Sequence, residues 1–306
     1  MSEPKSMIIE SPIIIDQEKC IKCFECARIC PTSTLYKRHE NLQIARDAAV
    51  RCIGCAHCLA ICPEDAITVT RYTDTSEIIP IPDFKLDPET ILNFMRARRS
   101  TRLFKPEPVE KKDLDRLIDA ARYAPSGHND QTSEFTVITG KRVTAIKTAL
   151  IQEMAPIIKS LPDDPVAAAE RLKNFLPQAS SDMISSMFGL MKEMVQVMAA
   201  GGRDVLFWDA PALIIIHAKK LSSGFPAALE NACLSAAYIM FLAETMGLGT
   251  CSMGILIYSI MMSPKVRKLI EIPKGNRALY ALALGKKDVV LRKLVPRNKP
   301  KVNYVE

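Results

Sequence analysis

Two copies of one cysteine pattern, C-x2-C-x2-C-x3-C-P, carry the clearest chemical signal in this chain. The first copy runs from Cys20 to Pro31 and the second from Cys52 to Pro63. Cysteines at this spacing ligate cubane [4Fe-4S] clusters, and in two-cluster proteins the fourth cysteine of each run binds the other cluster. The predicted ligand sets are Cys20, Cys23, Cys26 and Cys62 for one cluster, and Cys52, Cys55, Cys58 and Cys30 for the other. The pattern therefore predicts a protein that handles single electrons.

Structural zinc and disulfides are the two other uses of clustered cysteines. Zinc sites usually take two separated C-x2-C pairs, whereas each run here has three cysteines at equal steps and a fourth followed by proline. The first residues, MSEPKSMIIESPIII, lack the basic start, apolar run and cleavage site of a signal peptide. We therefore expect iron-sulfur clusters in a reducing, cytoplasmic compartment.

A second candidate site is the arginine-rich segment RARRSTRLF, residues 96–104. Guanidinium groups beside a hydroxyl form a bidentate receiver for a phosphate or for an electron-rich ring carbonyl. On its own the segment also fits a basic surface loop, so it needs support from elsewhere in the sequence.

Two further segments offer small polar groups or free backbone. APSGHNDQ, residues 124–131, presents hydrogen-bonding side chains in a turn after a helix, and GLGTCSMG, residues 247–254, presents backbone N–H groups without bulky side chains. The G-x-G of the second segment follows a predicted helix and lacks the third glycine of a dinucleotide fingerprint, so a Rossmann fold is rejected.

Length and composition limit the number of domains that can hold these residues. A chain of 306 residues with a hydrophobic fraction of 48% is long enough for about two globular domains. No stretch reaches the roughly 18 apolar residues of a membrane span, so we expect no membrane association. We predict domains at residues 1–72 and 89–306, joined by a proline-containing linker at 73–88.

Hydrophobic periodicity gives the elements of the larger domain. We predict helices at 88–98, 109–123 and 226–246, a proline-interrupted helical stretch at 143–200, and strands at 134–139, 212–217 and 279–284. Strands separated by more numerous helices predict an α+β fold with a modest central sheet flanked by helices.

Residues 16–70 resemble a bacterial two-cluster ferredoxin, with DQEKCIKCFECARICP and DAAVRCIGCAHCLAICPEDAITV as the two halves of an internal repeat. From Glu89 to the C-terminus, the order RRSTR, PSGHNDQ, GLGTCSMG and a basic tail resembles the nitroreductase-like flavoproteins. This resemblance implies a mostly antiparallel sheet, FMN as cofactor, a homodimer with active sites built from both subunits, and a variable helical insertion at about 150–205.

The nitroreductase resemblance also implies which residues contact the flavin. The N-terminal group would hold the phosphate, ribityl chain and pyrimidine edge, and consists of Arg98, Arg99, Ser100 and Arg102. The group that would reach the flavin of the partner subunit consists of Pro125, Ser126, Asn129 and Gln131. Met253 and the backbone of Gly254 would lie near the reactive N5 edge, and Arg297 with Lys299 would close over the phosphate. Thr132 and Ser252 depart from the usual pattern, which puts the substrate in question more than the flavin.

Together the two resemblances imply an enzyme that passes electrons between two [4Fe-4S] clusters and FMN to reduce an electron-poor organic molecule. Candidate substrates are nitroaromatics, quinones, activated alkenes and halogenated aromatics, and the donor would be a ferredoxin, a flavodoxin or an NAD(P)H-linked carrier. Three alternatives stay open: an FMN dehydrogenase that exports electrons through the clusters, a non-catalytic redox sensor or relay subunit, and a nucleic-acid-binding iron-sulfur protein, whose binding would depend steeply on salt.

The formal charge of +7 does not require a nucleic-acid partner. Two oxidised cubanes and one flavin phosphate would lower the net charge to roughly +1. The basic C-terminal segment GKKDVVLRKLVPRNKPK alternates with apolar residues and lacks stacking aromatics, so we expect no nucleic acid there.

Several other reactive or unusual residues have structural explanations. We expect solvent-facing side chains for His57 and His128, a satisfied core position for His217, and buried inert thiols at Cys233 and Cys251. Trp208 is expected to anchor the junction before a strand. A methionine stripe is expected to fill the core, although a pocket lid is the alternative; it comprises Met187, Met191, Met194 and Met198.

Overall fold

The computed structural model describes residues 11–173, 192–194, 196–198, 200–219 and 227–306. The chain divides into two compact units. The first comprises the chain up to Lys85 together with Gly127–Asp130, and the second comprises Leu86–Ser126 and the described part of Gln131–Glu306. No helix or strand lies between Val69 and Pro88, where the sequence predicts a linker.

The described residues of the first unit contain two small antiparallel sheets, three short α-helices and a single 3-10 turn at Gly127–Asn129. Its elements are β1 (Ile13–Ile15), α1 (Glu25–Ile29), β2 (Leu35–Arg38), β3 (Asn41–Ile44), α2 (Ala48–Arg51), α3 (His57–Ala60) and β4 (Ile67–Val69). Strand β1 pairs with β4, so the first and last strands of the unit close on each other. Strands β2 and β3 form a hairpin whose turn residues His39 and Glu40 both have positive φ, as a tight turn matched to strand twist requires.

The internal repeat of the sequence reappears in the backbone of the first unit. Lys22 and Gly54 occupy equivalent positions of the two runs, and their φ angles are 56° and 62°. Phe24 and Ala56, which precede α1 and α3, have φ angles of 62° and 59°. The two cysteine runs therefore have the same backbone conformation, with left-handed residues at equivalent positions between their cysteines.

Among its described residues, the second unit holds a four-stranded sheet and seven helices with defined bounds, and residues 192–194 and 196–198 are helical as well. Its elements are α4 (Pro88–Ala97), α5 (Lys111–Arg122), β5 (Glu134–Thr139), α6 (Lys141–Lys159), α7 (Pro165–Lys173), β6 (Ala212–Lys219), α8 (Ala227–Thr245), β7 (Leu248–Ser252), α9 (Gly254–Met262), α10 (Pro264–Ile270) and β8 (Asn276–Lys286). The strand order is β5-β6-β8-β7, and every neighbouring pair is antiparallel. The predicted α+β fold with a mostly antiparallel sheet is confirmed.

Strand β6 lies in the interior of the sheet and is apolar on both faces. Helices can therefore cover both sides of the sheet. Ile214 and Ile216 face a core shared with α5 and α8, whereas Leu213 and Ile215 face a core shared with α6 and α9. These four side chains are 0% exposed, and each contributes about 1.5–3 kcal/mol of hydrophobic stabilisation. The sheet is thus a rigid platform between two helical layers.

Three structural features differ from the expectations. Residues 248–252, for which no strand was predicted, form β7, because they pair with β8 along their whole length. Helices α9 and α10 were not predicted from the sequence. The last strand begins at Asn276 instead of residue 279, and β6 continues to Lys219.

The remaining structural expectations have mixed outcomes. Met198 is buried in the core and Met194 packs against it, as expected of core filler; Met187 and Met191 lie outside the described residues. The thiol of Cys233 was expected to be buried but is exposed, whereas that of Cys251 is buried. Among the described helices, none is both long and apolar enough to cross a lipid bilayer.

Candidate functional site

Each of two cavities in the first unit is lined by four of the eight clustered cysteines. One cavity is lined by Cys20, Cys23, Cys26 and Cys62. The other is lined by Cys30, Cys52, Cys55 and Cys58. Each cavity thus combines three cysteines of one run with the fourth cysteine of the other run, which is the grouping of the predicted ligand sets.

The thiols that line these cavities could bind a metal cofactor. All eight cysteines are free thiols, and the described residues contain no group of three or more His, Cys, Asp or Glu side chains arranged around a single metal ion. Burial raises the pKa of Cys58 to about 11. Burial also acts upward on Cys30, but hydrogen bonds from the Leu35 backbone and the Thr32 hydroxyl outweigh it, and the pKa of Cys30 is lowered. Thiols of this kind lose their protons when metal binds.

The loop between Cys52 and Cys55 is held by side chains from outside the cysteine run. The Arg71 guanidinium donates to the carbonyls of Ile53, at 3.2 Å, and of Asn129, at 2.8 Å. The Asn129 Nδ2 donates to the carbonyls of Gly54, at 2.9 Å, and of Ile53, at 3.4 Å. The Tyr72 hydroxyl donates to the Gly54 carbonyl at 2.7 Å. Asn129, predicted to contact a flavin, therefore uses its side-chain amide on this loop.

In the second unit, the arginine-rich segment is fixed to strand β7. The Thr101 N–H donates to the Thr250 carbonyl at 2.9 Å, and Ser100 forms a parallel bridge with Thr250. Thr101 is buried against Gly249, where an added Cβ would lie only 2.6 Å from the Thr101 Cβ. Only glycine therefore allows this close approach, and it fixes the arginines on either side of Thr101.

Arg98 and Arg102 are brought together around the thiol of Cys251. Burial raises the pKa of Cys251, whereas the charges of Arg102 and Arg98 and a hydrogen bond from Ser100 act in the opposite direction. The Arg102 guanidinium lies 5.3 Å from the ring centroid of Trp208, within cation–π range. The result is a small cationic site with a hydroxyl, which suits a phosphate or the electron-rich edge of a ring.

The turn from β7 into α9 leaves open space above its backbone. The Met253 N–H donates to the Ala281 carbonyl at 2.8 Å, and its side chain is buried in the core. Met253 could therefore contact a flavin only through its backbone. Gly254 is exposed, and an added Cβ there would meet nothing within 4 Å. A flat ring could approach this backbone without a clash.

The remaining residues predicted to contact the flavin lie in the turn after Pro125 and in the C-terminal segment. Ser126 Oγ accepts a hydrogen bond from the Gln131 N–H at 3.1 Å, which closes the turn that begins after Pro125. Arg297 and Lys299 lie in the exposed C-terminal segment, where residues 288–306 form no helix or strand. A role of any of these residues at a flavin of the partner subunit involves two chains and stays a prediction.

Sequence reasoning missed four residues near these sites: Arg71 and Tyr72 at the cysteine loop, Trp208 on Arg102, and the hydroxyl of Tyr280, which lies 2.6 Å from that of Ser252. The sequence holds one indication of a residue such as Arg71. The second cysteine run has Gly54 where the first run has Lys22, and a glycine at this position leaves space for a side chain from elsewhere in the chain.

Comparisons with known proteins match these two parts of the chain. A 4Fe-4S dicluster domain matches residues 12–63, and the model of the nitroreductase family matches residues 95–286. A nitrobenzene nitroreductase of Ectopseudomonas oleovorans is 24% identical over 231 residues, which are 70% of this chain and 92% of that protein. A 4-nitrobenzoate reductase of Pseudomonas putida is 36% identical over 72 residues, which are 22% of this chain and 32% of that protein.

A solved structure is also among the matches. A nitroreductase with bound FMN from Desulfitobacterium hafniense is 24% identical and covers 72% of this chain and 100% of its own, with a TM-score of 0.48. An iodotyrosine deiodinase of Danio rerio, among the sequence relatives, is 24% identical over 64% of this chain and 60% of its own length. The match to the nitroreductase model covers more than half of the chain, which confirms the predicted family. The protein belongs to the nitroreductase family, with a 4Fe-4S dicluster domain ahead of its nitroreductase domain.

Proposed function

We propose that this chain is an FMN oxidoreductase that passes electrons between two [4Fe-4S] clusters and the flavin to reduce an electron-poor organic molecule. One observation carries the proposal. A nitroreductase domain is joined in one chain to a unit with two cavities, each lined by four cysteines.

The cluster ligands in this proposal are the two groups of four cysteines that line the cavities. The exchange of the fourth cysteine between the runs is the ligation expected of two cubanes. Zinc sites usually take two separated C-x2-C pairs, whereas each cavity here combines three cysteines of one run with the fourth cysteine of the other.

The flavin site in this proposal combines the cationic site with the open backbone at Gly254. Arg98, Ser100 and Arg102 would hold the phosphate, ribityl chain and pyrimidine edge, with Arg99 beside them. Arg297 and Lys299 would add positive charge from the C-terminal segment. The partner subunit would supply Pro125, Ser126, Asn129 and Gln131, so the functional form would be a homodimer.

The two kinds of cofactor are chemically complementary, because clusters transfer single electrons and a flavin transfers either one or two. The protein's part is electrostatic. Arg98 and Arg102 stabilise negative charge on a bound ligand and so favour reduction. Reduction of a nitro group to a nitroso group takes two electrons and two protons and releases water, and solvent can supply both protons.

Nitroaromatics are the first substrates to test, because two relatives are named as a nitrobenzene nitroreductase and a 4-nitrobenzoate reductase. Quinones, activated alkenes and halogenated aromatics share the same flat, electron-poor character and complete the proposed class. The proposed donor is a ferredoxin, a flavodoxin or an NAD(P)H-linked carrier, and the proposed compartment is the cytoplasm.

Stopped-flow mixing under anaerobic conditions tests the direction of electron flow. Reduced ferredoxin should bleach the flavin band of the oxidised holoenzyme, and a nitroaromatic should restore it. Prompt bleaching by NADH alone, with later reduction of the clusters, would instead support an electron-exporting dehydrogenase. Bleaching without reoxidation by any member of the substrate class would support a relay subunit.

Cysteine variants provide a matched control for the route. Cys23 and Cys233 are both exposed, but only Cys23 belongs to a proposed ligand set. Cys23→Ser should lose one cluster and slow flavin bleaching by ferredoxin at least tenfold, whereas Cys233→Ser should leave the rate unchanged. Equal rates in the two variants would contradict the proposed route.

A further inference from the structure

The two cysteine runs differ at one pair of equivalent positions, Lys22 and Gly54. Both residues have positive φ, so the backbone itself accepts a residue with a side chain at this point. At Gly54, however, an added Cβ would lie 2.7 Å from the Cδ of Arg71. The glycine is therefore explained by the arginine that lies over it, and not by the turn.

Arg71 and Asn129 both bind the carbonyl oxygen of Ile53. The guanidinium donates to it at 3.2 Å, and the Asn129 amide at 3.4 Å. Arg71 also donates to the Asn129 carbonyl at 2.8 Å, so the two residues support each other. Gly54 itself is buried, which shields the loop from solvent.

The other end of the same peptide unit points at a cysteine sulfur. The N–H of Gly54 belongs to the peptide whose carbonyl is that of Ile53, and it donates to the Sγ of Cys52 at 3.4 Å. Two donors on the carbonyl fix the plane of this peptide and polarise it, which strengthens the N–H as a donor. In the first run, among the residues that the structure describes, no side chain donates to the Ile21 carbonyl and no N–H of Lys22 reaches the Cys20 sulfur.

We propose that Arg71 and Asn129 are positioning residues that raise the reduction potential of the cluster bound by Cys52, Cys55, Cys58 and Cys30, by holding the Ile53–Gly54 peptide with its N–H on the Cys52 sulfur. This inference rests on the proposed binding of two clusters. A reduced cluster carries one more negative charge than an oxidised one. A hydrogen bond to a ligand sulfur therefore stabilises the reduced form more and raises the potential.

A redox titration of the holoenzyme followed by electron paramagnetic resonance tests the proposal. The wild-type titration first establishes that two clusters are present, so failure of the proposed function is recognised separately. Arg71→Gln should lower the potential of one cluster and leave the other within error. We expect a three- to tenfold change in the one-electron equilibrium constant, or about 30–60 mV.

Three further variants separate hydrogen bonding from charge. Asn129→Ala removes a donor without changing the charge and should lower the potential of the same cluster. Arg71→Lys retains a donor and should restore most of the wild-type value. Arg51→Gln removes a positive charge beside Cys52, where Arg51 is exposed and paired with Asp47, and should have a smaller effect than Arg71→Gln. Equal effects of Arg51→Gln and Arg71→Gln, or no effect of Arg71→Gln, would overturn the proposal.

Gly54→Ala is an independent check, because it keeps both donors but places a Cβ against Arg71. It should lower the potential of the same cluster, and the Fe–S stretching bands of that cluster in resonance Raman spectra should shift with it. Lys22→Ala, at the equivalent position of the first run, should leave the potential of the cluster bound by Cys52, Cys55, Cys58 and Cys30 unchanged. If the two alanine variants behave alike, the peptide at Ile53–Gly54 has no special role.

Discussion

At the scale of single residues, the contact between Thr101 and Gly249 determines where the arginines of the second unit lie. The Thr101 side chain occupies the space that a Cβ on residue 249 would need. The loop that carries Arg98 and Arg102 therefore depends on a glycine in a neighbouring strand.

Gly249→Ala should displace this loop and weaken FMN binding at least tenfold, with a loss of about 1–3 kcal/mol in the free energy of unfolding from overpacking. Flavin fluorescence titration and thermal melting measure the two effects. Thr101→Ala in the same chain removes the clash and should recover most of the affinity. No recovery in the double variant would contradict a steric cause.

A buried histidine makes the second unit sensitive to acid. His217 is 2% exposed, its Nδ1 accepts a hydrogen bond from Asn276 at 2.9 Å, and its Nε2 lies 3.0 Å from the Thr136 hydroxyl. Because Nδ1 is an acceptor, the neutral ring carries its proton on Nε2. Burial lowers the pKa of His217, with Glu134 acting upward and Arg267 downward.

The stability of the second unit should therefore fall as the pH falls below about 6.5, the pKa of histidine in the unfolded chain. Above that pH the ring is neutral in both states and the full stability is present. Unfolding followed by the fluorescence of Trp208, the single tryptophan, reports this unit. His217→Gln should flatten the pH dependence, whereas exposed His39→Gln should not; parallel curves for both variants would rule out His217 as the cause.

At the scale of elements, the start of α9 is the point where the fold leaves room for a ring. Gly254 is the first residue of this helix, and its neighbouring space contains no protein atom within Cβ range. The site is thus open although the sheet beneath it is fully packed.

Gly254→Val should leave the melting temperature of the flavin-free protein unchanged, because valine is no worse than glycine in a helix and meets no neighbour. FMN affinity should fall at least tenfold, because the side chain would occupy the proposed ring site. Val166, an exposed residue of α7, gives a control in Val166→Ala, which should change neither quantity. Normal FMN binding by Gly254→Val would place the ring elsewhere.

Elements marked by strong local signals were predicted within a few residues. Strand β5 was located by its alternation and by the stop at Gly140, and α4 by Pro88 at its start. Strand β7 was missed because LGTCS has small residues without strand preference, and only its pairing with β8 makes it a strand. The position of the Asn129 side chain was missed because it depends on residues distant in the sequence.

At the scale of the whole molecule, the two units differ in how much core they have. The first unit has a small aliphatic core whose fully buried members include Ile13, Leu35, Ile67 and Val69, with Cys26 and Cys58 beside them. Two cysteine-lined cavities interrupt this core, so we expect the unit to depend on the clusters proposed to fill them. The second unit has two large cores, one on each face of its sheet.

Removal of iron by a chelator under mild oxidation should therefore unfold the first unit and leave the second folded. Far-ultraviolet circular dichroism should show partial loss of structure, and the Trp208 fluorescence should keep its folded value. Return of iron and sulfide should restore the signal. Loss of Trp208 fluorescence together with the iron would show that the two units do not fold independently.

The proposed function requires two [4Fe-4S] clusters and one flavin in each chain. Iron, acid-labile sulfide and released flavin should be counted per chain on anaerobically purified protein. We expect about eight iron, about eight sulfide and one FMN. Zinc in place of iron, iron near four, or a protein without FMN would contradict the proposed function.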